Sequence, residues 1–528
     1  MSDTLDYLKM FARFPFSLRR FLRQHPLTPE EARRIAKERM ARREESFLRI
    51  AKRCVYGYPS SPYLALLRRA GCEFGDLQAS VKKGGVDGAL HELRRSGVYV
   101  SYEEFKGRKP IVRDGWVLPV KARDFDNPFV GPDLIMQTGG STGLGTHIAH
   151  NLDHVTAAIH HQFLMLDAYK MMGAPAAVWS PILPGTGLNF IIRRVHQREP
   201  TLRWFSPVGW CDAKNWLKYD IALLYMLFWL RVYNAGVPMP QIVRHDQALA
   251  VARWMRETFK QHGRCMLYTS VSQAVRVCIA AEQAGLDLTG CVVRLSGEPA
   301  TPAKVRTIQR AGMQSIPHYG SVETGSIAIG CPSGADPDDS HLLSDAFALI
   351  THPFAVQGTD VTVPSFNLTT LLDQSPKVML NYQTDDYGIV EERACGCELE
   401  ALGYTTHLRE IRSYSKLVGE GVPLIGNEML RILEEVLPAR FGGTPLDYQW
   451  MEAEDERGFT RLYLTISPRV EIADEQQVIE VVYNAMRASS SMADAARTVW
   501  QRSQTIQIRR AEPVATVRGK LLPLHLQR

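Results

Sequence analysis

The chain has 528 residues, more than a single hydrophobic core normally serves, so two or more domains are expected. Its 45% apolar and 22% charged residues exclude wholesale disorder, and a net charge of +6 suits anionic small molecules without forming a nucleic-acid footprint. Nine cysteines, an odd number scattered over a long chain, argue against a secreted disulfide framework, and Arg and Lys interrupt the N-terminal apolar runs that a secretory signal needs, so a reducing cytoplasm is expected.

The first hundred residues read as helical. In LTPEEARRIAKERM, Thr28 stands at the N-cap, Pro29 at the first helical position and Glu31 two residues on, a capping-box start. The many Arg and Lys that follow read as a solvated face with i,i+4 pairs in preference to a membrane or nucleic-acid surface. YVSYEEFKGRKPIVRDG then reads as a loop-rich entry to the main domain. From about Pro132 to Ala401, the runs AAVWSPIL, CMLYTS, CVVRLSG, MQSIPHYG and VMLNYQ read as buried strands, with helical stretches such as TPAKVRTIQRAG between them. That alternation predicts βα units and a largely parallel sheet. The longest apolar run, Ile221 to Leu230, is too short to span a bilayer and reads as a buried helix. Beyond Ile411 the order is helix (MLRILEEVLPARFG), strand (RLYLTISPRV), helix (DEQQVIEVVYNAMRASS) and strand (TIQIRRAEPV), which suits a small α+β domain. The expected organisation is a helical region at 1–100, a large α/β domain with mixed parallel sheets at 101–411, and a small domain at 412–528.

LIMQTGGSTGLGTHIAH, Leu134 to His150, can be read as a dinucleotide-binding turn or as a phosphate loop. Hydride transfer would need a downstream Tyr-x-x-x-Lys. The only such pattern, Tyr102 to Lys106, lies upstream, and Asp167 reads as mid-helix where an acid at a strand end is required. A P-loop NTPase would need Gly-Lys-Ser/Thr after the loop, which is absent. As a phosphate loop, the small residues Thr138, Gly139, Gly140, Ser141, Thr142 and Gly143 let backbone N–H groups approach phosphate oxygens, and the hydroxyls add donors. Four further motifs follow in order: RLSGEPATPAKV (from Arg294), HYGSVETG (from His318), YQTDDYG (from Tyr382), and a C-terminal pair made of Arg412 in IRSYSKLVGEG and Lys520 in EPVATVRGKLL.

On these five ordered motifs, from about Glu104 to Lys520, the chain resembles the adenylate-forming superfamily. Within it, the chain is most similar to the phenylacetate–coenzyme A ligase-like branch, which is related to the acyl-protein synthetases of bacterial bioluminescence. The resemblance implies a large α/β adenylation domain with a small mobile C-terminal domain. By it, Ser296, Gly297, Glu298 and Pro299 would lie along an adenine and Tyr319 would stack on it, with His318 as neighbour. Gly320 would border the acyl pocket, Glu323 would hold Mg²⁺, Asp386 and Arg412 would bind the ribose, and Lys520 would serve adenylation. Two departures stand out. The loop carries Leu144 and Gly145 where relatives have Lys or Pro, and Tyr414 occupies the usual Asp or Lys hinge position. Asp385 replaces a glycine, so an acidic pair with Asp386 is an alternative reading, which the opposite facing of strand neighbours weakens.

Cys331, His341, Cys395 and Cys397 could form a closed tetrahedral zinc site of a structural kind, as some members of that branch carry, or could be reduced cysteines beside an unrelated histidine. The other six cysteines read mostly as core. The implied activity is ATP- and Mg²⁺-dependent conversion of a small carboxylic acid to an acyl-adenylate, followed by transfer to coenzyme A or a carrier-protein phosphopantetheine. Transfer to an amine or protein thiol, and a degenerate zinc-stabilised nucleotide-binding scaffold, are the alternatives. No nucleic-acid partner is expected, and a homodimer is implied by the resemblance only. WSPILPGTGLNF, Trp179 to Phe190, is expected to line an apolar acyl pocket. Arg193 and His196 just beyond it read as ordinary surface residues.

Overall fold

The computed structural model describes residues 2–137, 147–183, 185–211, 216–355, 362–413, 418–419, 422–423, 427–454, 460–487, 506–515, 521 and 523–526. Within the first hundred residues the chain forms helices α1 (Ser2–Leu22), α2 (Pro29–Ala41), α3 (Arg43–Ile50), α4 (Pro62–Arg69) and α5 (Phe74–Arg95). The capping box at α2 is present in both directions: Thr28 Oγ1 accepts from Glu31 N at 3.2 Å, and Glu31 accepts from Thr28 N at 2.8 Å. Helix α5 contains a kink at Gly85, whose φ of 65° a side chain would resist. A hairpin of β1 (Leu134–Gln137) and β2 (His147–His150) flanks the glycine-rich loop, which itself lies outside the described residues. It leads into helix α6 (Leu152–Ala168), capped by the Asn151 side chain.

The first large sheet contains β3 (Ala176–Trp179), β4 (Thr201–Ser206), β5 (Pro240–Ile242), β6 (Cys265–Ser270), β7 (Cys291–Ser296) and β8 (Gln314–Ile316). They lie in the order β8-β7-β6-β3-β4-β5, with every pair parallel. Helix α7 (Gly187–His196) joins β3 to β4. The continuous apolar runs of this region follow from burial on both faces. Along β6, Met266 and Tyr268 enter one core with α1 and α6, while Cys265 and Leu267 enter another with the helices Ala248–His262 and Val271–Gln283.

From β8 the chain enters a seven-stranded antiparallel sheet with Pro317 alone between the two sheets. Its strands are β9 (His318–Ser321), β10 (Gly325–Gly330), β11 (Ser340–Leu342), β12 (Phe347–Ala355), β13 (Thr362–Thr370), β14 (Tyr382–Glu392) and β15 (Thr406–Ser413), in the order β9-β10-β11-β15-β14-β13-β12. A third, four-stranded sheet forms the small C-terminal α+β domain, with β16 (Tyr448–Glu454), β17 (Thr460–Ile466), β18 (Ile506–Arg510) and β19 (Leu524–Leu526). Its core, around Trp450, Leu464, Val478 and Val482, draws among the described residues on those between Met429 and Leu524.

A buried ionic knot joins the small domain to the large one. Lys304, on the helix Pro302–Arg310, lies 3.0 Å from Glu434 and 3.8 Å from Glu298, and all three side chains are almost wholly buried. Thr301 donates to Glu434 as well, and Leu446 and Leu521 pack into the core of the parallel sheet.

Several sequence expectations change. Ile221–Leu230 lies in a helix, Trp216–Val232, but it is not buried all round: Ile221, Leu224 and Phe228 are at least half exposed, while Leu223 and Met226 are in the core. VMLNYQ is strand only at Tyr382 and Gln383, because Val378 to Leu380 pack as irregular chain. MLRILEEVLPARFG is helical with a π segment at Ile432–Val436. Among the six cysteines expected in the core, Cys211 is exposed and Cys72 partly so. No helix among the described residues is long and apolar enough to cross a membrane.

Removing one member of a buried ion pair typically costs about 3–5 kcal/mol, because its partners keep their desolvation penalty. Lys304→Met should therefore lower the urea-unfolding midpoint sharply, whereas an unchanged midpoint would show that the knot contributes nothing to docking.

Candidate active site

The C-terminal ends of the parallel strands and the first edge of the antiparallel sheet face one another across Pro317. Tyr319 on β9 donates its hydroxyl to Asp386 Oδ2 on β14 at 2.8 Å. Burial, then the neighbouring Asp386 charge, holds the phenol well above its ordinary range, so it stays a donor. Asp385 accepts from Ser413 Oγ at 2.9 Å. The Asp386 backbone N–H donates to Thr384 Oγ1 at 3.1 Å, which fixes the turn of chain that presents its carboxylate.

Gly320 and Gly325 make the tight return between β9 and β10. A Cβ on Gly320 would run into the Gly325 carbonyl, and Gly325 has a φ of 75°. Glu323, inside that return, is buried and pairs with Lys106, which follows the one-turn helix Tyr102–Phe105. Burial pushes the Glu323 carboxyl up, but the Lys106 ammonium outweighs it and keeps the group below its ordinary value of 4.5. Lys106 was legible only as part of the Tyr102-x-x-x-Lys106 pattern, and nothing in its local sequence points to Glu323.

At the end of β7, Gly297 adopts a φ of 77° and the Ser296–Pro299 turn leads to the helix Pro302–Arg310. Glu298 faces inward, accepts from Ser272 and stands near Lys304. Arg412 pairs across the sheet with Tyr387, next to Asp386, and lies 3.6 Å from Asp338. His318 Nε2 lies 2.8 Å from Ser326 Oγ. The sites expected at Thr138, Gly139, Gly140, Ser141, Thr142, Gly143 and Lys520 lie outside the described residues, as do Leu144, Gly145 and Tyr414. Leu521, the chain neighbour of Lys520, is buried against the parallel sheet's helices.

Two residues expected at the surface are buried instead. His196 is 5% exposed, lies 2.9 Å from Gln24 and packs on Phe21, a structural placement. Arg193 is 7% exposed, and with Arg294, His150, His154 and His318 it forms a cationic and imidazole group beside Gly325. Burial first, and then Arg193, lowers the His150 imidazole to about 4, so it is neutral at physiological pH. The sequence gives no sign of this, because burial here comes from the enclosure of α7 by α1, α6 and the sheet.

The metal-type cluster is compact. The ligand atoms of Cys331, His341, Cys395 and Cys397 all lie within 4.8 Å of one another. His341 donates Nδ1–H to the Tyr404 carbonyl at 2.7 Å, and this leaves Nε2 facing Cys397 Sγ at 3.2 Å and Cys395 Sγ at 3.8 Å. A ring oriented by a backbone carbonyl behind it is the usual arrangement of a metal-bound histidine.

No protein-family model matches the chain, and no curated protein matches its sequence. Among solved structures, 2-hydroxyisobutyryl-CoA ligase in the postadenylation state matches with a TM-score of 0.53 and 14% identity, over 92% of this chain and 90% of that one. The chain shares its overall fold with that ligase. Weaker likenesses include the anthranilate CoA ligase AuaEII, at TM-score 0.42 and 12% identity over 73% and 64% of the two chains. The amide bond synthetase McbA from Marinactinospora thermotolerans, at TM-score 0.40 and 12% identity, spans 96% and 98%.

The Lys106–Glu323 pair has a pH signature. A carboxyl whose folded pKa is depressed contributes stability that is present above its unfolded value of 4.5 and is lost as pH falls through the lower folded value. Lys106→Met should therefore be less stable than the parent at about pH 7, and the gap should narrow below about pH 4. Denaturant titrations at both pH values check this, and a gap that is equal at both would contradict the pairing.

Proposed function

We propose that the protein is an ATP-dependent acid–thiol ligase of the AMP-forming type, similar to the phenylacetate–coenzyme A ligase branch. The observation that carries this reading is the meeting of Tyr319, Asp386 and Glu323 at one sheet junction, on the three motifs that the family resemblance assigns to adenine, ribose and Mg²⁺. The ligase-like fold supports it.

In this reading the substrate carboxylate attacks the α-phosphorus of ATP, forms the acyl-adenylate and releases pyrophosphate. Catalysis comes mainly from positioning and from charge placed where charge develops. The Ser296–Pro299 turn lies along the adenine face on which Tyr319 stacks, and His318 supports Tyr319 from the same strand. Asp386 accepts from the ribose hydroxyls, with Arg412 beside it. Thr138 to Gly143 cradle the phosphates through their backbone N–H groups, and Lys520 bridges the carboxylate and α-phosphate oxygens. Glu323 offers a buried carboxylate oxygen to a hard cation, with Lys106 as its partner in the ion's absence. Mg²⁺ there would neutralise phosphate charge. Gly320 borders the acyl side, where Trp179 to Phe190 line the acid's path. The acyl group then passes to a thiol, coenzyme A or the phosphopantetheine of a carrier protein. Residues 412–528 would act as the unit that brings Lys520 to the nucleotide, working in the cytoplasm.

Carboxylate-dependent exchange of labelled pyrophosphate into ATP tests this directly. Lys520→Ala should slow exchange by about 10²–10³-fold, the usual cost of one transition-state contact. Unchanged exchange would remove Lys520 from the mechanism, and no exchange with any acid would reject the ligase reading.

We further propose that Cys331, His341, Cys395 and Cys397 hold a structural Zn²⁺, since three thiolates and one imidazole close a tetrahedron with no position left for water. Metal analysis of the purified protein should give one zinc per chain, reduced to background in Cys397→Ser. A metal-free wild-type protein of full stability would contradict the site.

A further inference from the structure

Arg193 on α7 and Arg294 at the end of β7 are cations without counter-ions. They are 7% and 6% exposed. Arg193 forms no ion pair or hydrogen bond with any described residue, and burial alone depresses its guanidinium, to about 10. Arg294 has an unsatisfied Nη1, and it is held between two aromatic rings, with Cζ 5.2 Å from the Phe190 centroid and 5.5 Å from that of Tyr268. The two are close: Arg193 lowers the pKa of Arg294, and both act on His318.

The buried arginine next to Arg193 shows what a structural role looks like in this fold. Arg194 donates to Tyr268, Thr201 and the Ala174 and Pro200 carbonyls, and it lies 3.5 Å from Glu199. Arg193 and Arg294 have nothing comparable. An unpaired buried charge is strongly destabilising, so a fold keeps one where something else completes it.

Their place says what that is. Phe190 and Arg193 are one helical turn apart on α7, which begins at the end of the segment expected to line the acyl pocket. A Cβ on Gly325 would lie 3.1 Å from Arg193 Nη2 and 3.3 Å from His154 Nε2, so both groups reach the return that carries Glu323. His150 and His154 are buried beside the backbone at Val322 and Thr324, and both imidazoles are neutral, so the positive charge here comes from the arginines. Positive charge thus converges beside that return, where Glu323 is already paired with Lys106, and neither arginine has a carboxylate at ion-pair distance among the described residues.

We propose that Arg193 and Arg294 bind the distal anionic group of the acid substrate, so that the protein activates one carboxylate of a dicarboxylic acid. The inference rests on the ligase reading and names its substrate class. A guanidinium matches a carboxylate in shape and charge, and Phe190 and Tyr268 would flank the carbon chain between the two ends. A monocarboxylic acid of equal length would leave both cations unpaired, a loss that such sites translate into large discrimination.

Pyrophosphate exchange with α,ω-dicarboxylic acids of about four to ten carbons, each against the monocarboxylic acid of the same length, is the test. The best dicarboxylate should exceed its monocarboxylate partner in kcat/KM by about 100-fold or more. Arg193→Met and Arg294→Met should each collapse that ratio, and each should raise the melting temperature of the ligand-free protein, because a buried unpaired charge has been removed. Monocarboxylates preferred throughout would overturn the proposal. So would variants that lose both classes equally, since that result assigns the pair to the reacting carboxylate. If no acid supports exchange, the ligase reading fails separately. Calorimetry of the dicarboxylate series then reads the subsite by itself, with binding to wild type and not to the Met variants expected, and no binding to wild type overturning it.

Discussion

The chain passes from its parallel sheet to its antiparallel sheet through one residue, Pro317, and the geometry of the candidate site depends on that passage. Strand β8 ends at Ile316 and β9 begins at His318, so the two sheets cannot be separated or slid without breaking one of them. Proline suits the position because it needs no partner for a ladder N–H that the switch between sheets would leave unmet. Its carbonyl accepts from Gly330 N at 2.9 Å, and its ring packs where a Cβ on Gly330 would sit. The next residues are therefore delivered to a fixed place: Tyr319 to Asp386, and the Gly320–Gly325 return to Arg193 and His154.

Much of this was legible because local chemistry and tertiary structure agree. The capping box at Thr28 and the βα runs ending in CMLYTS and CVVRLSG state their structure locally, and burial on both sheet faces explains why those runs do not alternate. Tyr319 and Asp386 were legible as motif members, though 67 positions separate them. What was not legible is what burial alone decides. Arg193, read as a surface residue, and its helix neighbour Arg194 are both buried, yet Arg194 is fully bonded and Arg193 is not. Lys106 reaches Glu323 across 217 positions, and no periodicity encodes such a distance. Ile221–Leu230 shows the converse, since an apolar run proves only that a helix forms, and packing decides which face is covered.

The same molecule holds two kinds of buried charge. Lys304 is paired internally with Glu298 and Glu434 and fastens the small domain beside the Ser296–Pro299 turn. Arg193 and Arg294 are left open. In one low-dielectric interior, the first arrangement serves shape and the second serves a ligand, because an unsatisfied ion is a standing cost that only function offsets. The histidines divide as well. His196 is bonded to Gln24, whereas His150 and His154 are buried beside Arg193 and held neutral.

The account stands or falls on whether one nucleotide is held between Tyr319, Asp386 and the Ser296–Pro299 turn. Calorimetric titration with a non-hydrolysable acyl-sulfamoyl adenosine measures this without requiring turnover. Saturable binding at one site per chain, weakened at least about tenfold in Asp386→Ala by loss of the ribose hydrogen bonds, is the predicted result. Failure of wild type to bind, or equal affinity in Asp386→Ala, would contradict it.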